Sequence, residues 1–148
     1  MRLAWVEKDQ ISAFTFKLKH MTNIENKTSP DSAVSRLVIL LNAVSIDVPD
    51  LAQIPFRYAS TAAAMDLAVE IHAVSHSVTL FKRGTELAGL DGQIKQAFEL
   101  GVDMFVCPVA LAQAGMTELD LVPEVSGVRG AASLLVAGFA PGSRFMVF

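Results

Sequence analysis

The sequence has no second cysteine: Cys107 stands alone among 148 residues. One thiol excludes an internal disulfide framework and a cysteine-rich zinc site, and it suits a reducing cytoplasm. Charge is scarce as well, at 18% of residues against roughly 25% in an average soluble domain. The net charge of −3 leaves no basic footprint for neutralising phosphates, so no nucleic-acid partner is expected. Although 52% of residues are hydrophobic, no run reaches the ~18 consecutive apolar residues of a spanning helix. The longest runs, at 37–41 and 131–139, are short and bounded or interrupted by polar residues or glycine, and read as a buried strand and a packed helix. The N-terminal residues lack the apolar core and small-residue cleavage site of a secretory signal. No membrane association and no export are therefore expected, and the location is read as cytoplasmic. The apolar surplus is better explained by burial between subunits, which makes a homo-oligomer the expected state. Also absent are the glycine spacings of a Walker loop, a dinucleotide fingerprint and a nucleophile elbow, and no cofactor is expected.

Residues 1–35 differ from the rest. Lys8, Lys17, Lys19 and Lys27 are interleaved with polar residues, and a turn-like cluster occupies 26–31. With Met21 opening the polar stretch before the regular pattern, residues 1–20 read as an appendage and 1–35 as an N-terminal extension. From residue 36 the hydrophobic pattern alternates between strand-like and helix-like segments. Strands are expected at 36–43, 68–74, 102–107 and 143–148, with a short one within 119–126. Helices are expected at 54–67, 75–83, 93–100, 108–114 and 128–139, with 44–53 and 89–92 as loops. Ile94, Ala97 and Phe98 share one face of the 93–100 helix. This alternation predicts an α/β domain with a mostly parallel sheet covered on both faces.

Cys107 falls where the third of these strands runs into a helix opening at Pro108. In parallel α/β sheets, ligands and reactive groups collect beyond the carboxyl ends of strands, where helix N-termini offer unpaired N–H groups. A thiol held there as thiolate is a better nucleophile at neutral pH. The plain alternative is a small buried hydrophobe. His72 and His76 flank the end of the second strand, on the same sheet edge, and could supply a positive or proton-shuttling group. Their spacing of four spans a strand-to-helix junction without an HExxH motif or an evident third ligand, so no metal is expected. The plain reading makes His72 a strand residue and His76 a polar helix start. Arg129, within the Gly-flanked run 127–130, could help a helix start hold an anion, or be an ordinary solvated side chain. A Cys-His hydrolase would need an oxyanion hole and a hydrogen-bonded pair, neither of which the sequence displays.

Taken together, AAAMDLAVEIH at 62–72, SVTLFKRG at 77–84 and GVDMFVC at 101–107 resemble the DsrE/DsrF-like family of small α/β proteins. LVP at 121–123, the glycine-containing turn before the last helix and RFMVF at 144–148 extend the resemblance over roughly 36–148. The resemblance implies a three-layer α/β/α sandwich with a mostly parallel sheet of about five strands, assembled as a homotrimer, hexamer or related oligomer. It also implies that Cys107 carries a persulfide, as the cysteine at this place does in the sulfur-relay members. The expected function is thus a sulfur-relay subunit, a persulfide carrier or sulfurtransferase-like protein, with a sulfur donor or acceptor protein as partner. Pro108 departs from the best arrangement for such a thiol by removing one N–H from the helix start. The competing expectation is a non-catalytic, oligomeric ligand-binding or regulatory protein using a cleft beside Asn42, His72, Cys107 and Ser126.

Overall fold

The computed structural model describes residues 33–85 and 89–148, and the expectations for residues 1–32 lie outside them. Among the described residues five strands form one all-parallel sheet: β1 Arg36–Leu41, β2 Ala68–Ala73, β3 Asp103–Val106, β4 Gly127–Val128 and β5 Ser143–Val147, in the order β4-β3-β2-β1-β5. The helices are α1 Pro49–Ala52, α2 Ile54–Ala64, α3 Leu90–Glu99, α4 Pro108–Gln113 and α5 Ala131–Gly138, with 3-10 segments at Ser75–Phe81 and Glu118–Asp120. The expected α/β class, mostly parallel sheet and five strands are all present.

Strand alternation divides the sheet into two unlike faces. Leu37, Ile39, Leu41, Val69, Ile71, Ala73, Met104 and Val106 point to one side and join the main core. Against them pack Phe56 and Ala59 of α2, at helical spacing, and Leu90, Ile94 and Ala97 of α3, spaced i, i+4 and i+7. Phe56 and Phe81 meet edge to face with centroids 5.8 Å apart. On the opposite side, among the described residues, α5 contributes a second small cluster, Leu134 and Ala137 on Val38, with Leu40 beside it. Its Gly138 permits a close approach, because a Cβ there would lie 2.7 Å from the Phe145 ring.

Several expected boundaries are corrected. The 44–53 loop contains the short helix α1, opened by Pro49, which has no N–H to satisfy. Helix α2 stops at Ala64, because Asp66 adopts φ 62° and the Leu67 N–H returns to the Ala62 carbonyl. Helix α3 begins at Leu90, within the expected 89–92 loop, after Gly89 at φ 83°. Phe98 does not share the inner face and is 48% exposed.

The short strand expected within 119–126 does not form there. Thr117 and Asp120 close a capping box around a 3-10 turn, Leu121 makes only an isolated bridge to Lys82, and Pro123 has no N–H to give a ladder. Pairing resumes at Gly127 and Val128, opposite Phe105 and Val106. That pairing, with the Arg129 N–H donating to the Val106 carbonyl at 3.0 Å, delays the last helix from 128 to Ala131. No helix among the described residues is long and apolar enough to cross a membrane.

Candidate functional site

Cys107 lies immediately beyond β3 and is the N-cap of α4. Its N–H donates to the Ala73 carbonyl at 2.9 Å, and its own carbonyl accepts the Leu111 N–H at 3.0 Å, fixing the residue at the carboxyl edge of β2 and β3. The backbone there is extended, φ −72° and ψ 126°, as a residue preceding proline should be. Half-buried against the main core, the thiol makes no capping hydrogen bond. Pro108 brings no N–H to the helix start, which leaves the first-turn donors at Val109 and Ala110.

The two histidines have different surroundings. His76 is exposed, and its carbonyl accepts the Thr79 hydroxyl at 2.7 Å. It follows Ser75, whose φ of 53° is unusual for a residue other than glycine and turns the chain sharply off β2. His72 is only 3% exposed and sits on the α5 face of the sheet, opposite Phe105 in register. No hydrogen bond joins Cys107 to either histidine among the described residues. Asn42 is exposed just past β1, its N–H bound to the Phe148 carbonyl at 2.8 Å. Ser126 lies at the other end of β3 from Cys107. Its Oγ accepts the Met104 N–H at 3.0 Å and its N–H donates to the Met104 carbonyl at 2.8 Å. Asn42 and Cys107 therefore mark the carboxyl edge, with His72 one residue short of the end of β2, while Ser126 holds the approach to β4.

What the structure assembles around His72 was only partly visible in the sequence. Its Nε2 donates to Glu70 Oε2 at 3.1 Å, and Arg36 Nη1 donates to Glu70 Oε1 at 3.0 Å. The His72 and Phe105 rings lie 5.2 Å apart, and the Arg129 guanidinium stacks over Phe105, 3.8 Å from its centroid. Burial pushes the His72 pKa below its ordinary value. The hydrogen bond and charge of Glu70 oppose that shift, and the charge of Arg129 adds to it. Arg129 does not open α5 as expected; it precedes Gly130, the N-cap. Arg36, Glu70 and Phe105 were not singled out from sequence. The available signal was the Glu70-x-His72 spacing, which puts a carboxylate and an imidazole on one face of a buried strand.

Two cavities accompany these residues. One, of about 320 Å³, lies between α5 and the sheet, lined by the polar residues Arg36, Glu70, Arg129 and Ser133 and by the apolar Ala132, Val136 and Ala137. The other, of about 300 Å³, is apolar, lined by Val44, Val48, Leu51 and Phe148. It occupies the carboxyl ends of β1 and β5, where the strand order reverses and ligands of open α/β sheets characteristically lie. Among the described residues no three His, Cys, Asp or Glu side chains are grouped as a cation would require.

Similar folds occur in several solved structures. A protein of unknown function from Methanobacterium thermoautotrophicum is 21% identical, with a TM-score of 0.61, covering 76% of this chain and 98% of that one. The ychN protein from E. coli is 18% identical, with a TM-score of 0.66, over 77% and 99%. A conserved protein of unknown function from Bacteroides thetaiotaomicron is 15% identical, with a TM-score of 0.60, over 82% and 98%. At these identities the likeness is one of fold. No curated protein matches the sequence. A family model matches residues 37–141, from the first strand through the turn before the last, and by that match the chain belongs to the DsrE/DsrF-like family.

Proposed function

We propose that this protein is a sulfur-relay subunit in which Cys107 carries sulfane sulfur as a persulfide. The carrying observation is the position of the lone thiol: half-buried at the carboxyl edge of the sheet, at a strand-to-helix junction, in a chain of this family. In the loading step the Cys107 thiolate attacks the outer sulfur of a donor persulfide. A new S–S bond forms, the donor S–S bond breaks, and the donor leaves as a thiolate. An acceptor thiolate reverses the sequence at the next station. The partners are thus a sulfur donor and a sulfur acceptor protein, and a reducing cytoplasm is the compartment this chemistry needs.

Incubation with a sulfane-sulfur donor followed by intact-mass measurement should add about 32 Da, one sulfur atom, per chain, and Cys107→Ser should add nothing. An accessible thiol that gains no sulfur from any of several donors would overturn the proposal.

Homo-oligomerisation, as a trimer or hexamer, belongs to the same reading. Its support is the exposed apolar surface on β5 and at the turn before it, where Phe139 is 80% exposed and Val147 60%. Sedimentation of the full chain at micromolar concentration should show a species several times the 15.9 kDa protomer, and a monomer alone would refute it. The cavity beside Glu70 and Arg129 favours a second reading, a ligand-binding role without sulfur transfer.

A further inference from the structure

We infer that the cavity between α5 and the sheet is a binding site for a small organic carboxylate. In this arrangement Arg129 takes the charged head and the Ala132 and Val136 wall takes a short apolar tail. The argument begins with charge. Glu70 is only 12% exposed by its side chain, and both of its oxygens are engaged, one by Arg36 and one by His72. Arg36 is thereby neutralised, and His72, uncharged at neutral pH, contributes no net charge. Arg129 is left as the excess cation. It has no carboxylate partner among the described residues, and its guanidinium lies over the Phe105 ring, 3.8 Å from the centroid, on an exposed side chain whose N–H donors can meet a planar, two-oxygen acceptor.

Four further features point the same way. The cavity borders the first turn of α5, where Ser133 contributes a hydroxyl to the lining. Ala132 and Val136 add an apolar lining that an inorganic anion would leave uncovered. A volume of about 320 Å³ is at the small end for ligand sites, which suits a molecule of roughly ten non-hydrogen atoms or fewer. Finally, the Arg36–Glu70–His72 chain fixes the floor of the cavity, so the site is formed before any ligand arrives. This site is separate from Cys107, and its test reads Arg129 without involving the thiol.

Calorimetric titration of the full chain with hexanoate, hexan-1-ol and acetate separates head from tail. Hexanoate should bind about tenfold more tightly than either comparator, the effect of one charge-assisted hydrogen bond. Arg129→Gln should lose about the same factor, and Val136→Glu, which sets a carboxylate at the cavity, should abolish binding. Equal affinity for hexanoate and hexan-1-ol, no saturable binding of hexanoate, or unchanged binding in a folded Arg129→Gln variant would each overturn the inference. If hexanoate does not bind and Arg129→Gln instead splits an oligomer on sedimentation, Arg129 serves a subunit contact and the inference fails.

Discussion

The two faces of the sheet are built from the same strands and bury different chemistry. On the side covered by α2 and α3, β1 and β2 supply Leu37, Ile39, Leu41, Val69, Ile71 and Ala73 without a polar atom in their side chains. On the α5 side the same strands supply Arg36, Glu70 and His72 around the small apolar patch of Val38 and Leu40. A continuous apolar face can be covered by any helices of the right period and yields stability. A half-polar face must satisfy every charge it buries, and the satisfied arrangement is also a shaped surface. The first face therefore reads as scaffold, and the second carries the cavity proposed above as a binding site. Cys107 stands at the carboxyl edge of the sheet, packed against the first of these faces.

The comparison can be broken by substitution, beginning with the largest effect. Phe56→Ala removes a fully buried ring from the main core and should cost about 3–5 kcal/mol in a denaturant titration. Val38→Ala, the central apolar residue of the other face, should cost about 2 kcal/mol. Losses of equal size at the two sites would remove the distinction between scaffold and cavity face. Glu70→Gln should cost about 1–2 kcal/mol, the lower half being expected because Arg36 is 39% exposed and its contribution is screened.

The α5 face should also make stability depend on pH. The folded pKa of His72 lies below the ordinary histidine value of about 6.5, so on acidification the unfolded chain binds this proton first. The stabilisation is fully present above about pH 6.5 and is lost as pH falls through the folded value. The urea midpoint should thus be lower at about pH 5.5 than at about pH 7.5, and His72→Gln should shrink that difference. A difference that His72→Gln leaves intact would assign the pH dependence to other groups. Glu70, Arg36 and Arg129 face His72 and must be unaltered in that comparison. The smallest effect, about 0.5 kcal/mol, is expected for Arg129→Gln, whose contact with Phe105 is made by an exposed side chain.

Much of the architecture was legible because it rests on periodicity and on residues with fixed backbone preferences. The apolar run at 37–41 marked a buried strand, expected at 36–43 and formed at Arg36–Leu41, Pro108 could open a helix but not continue one, and Gly101 and Gly115 end helices at positive φ. The region 117–130 was misread because its outcome depends on distant partners. Val122 bonds to Phe81, Ser126 to Met104, and Gly127 pairs opposite Phe105, and no local pattern announces any of these. The candidate site divides the same way. Cys107 was found from its place at a strand end, whereas Arg36 and Glu70 come together from strands 34 residues apart in sequence.

By itself the sequence determined the alternation of strand and helix, the α/β class and the single thiol at the end of β3, since each follows from local spacing and residue type. Only the tertiary structure decided that His72 turns away into a buried bond with Glu70. Only it decided that Ser126 belongs to the other end of β3, and that Arg129 stacks on Phe105 beside a cavity. Those outcomes depend on the register of parallel strands joined by long crossovers. That register is fixed by the packing of the whole sheet and not by any neighbouring residues.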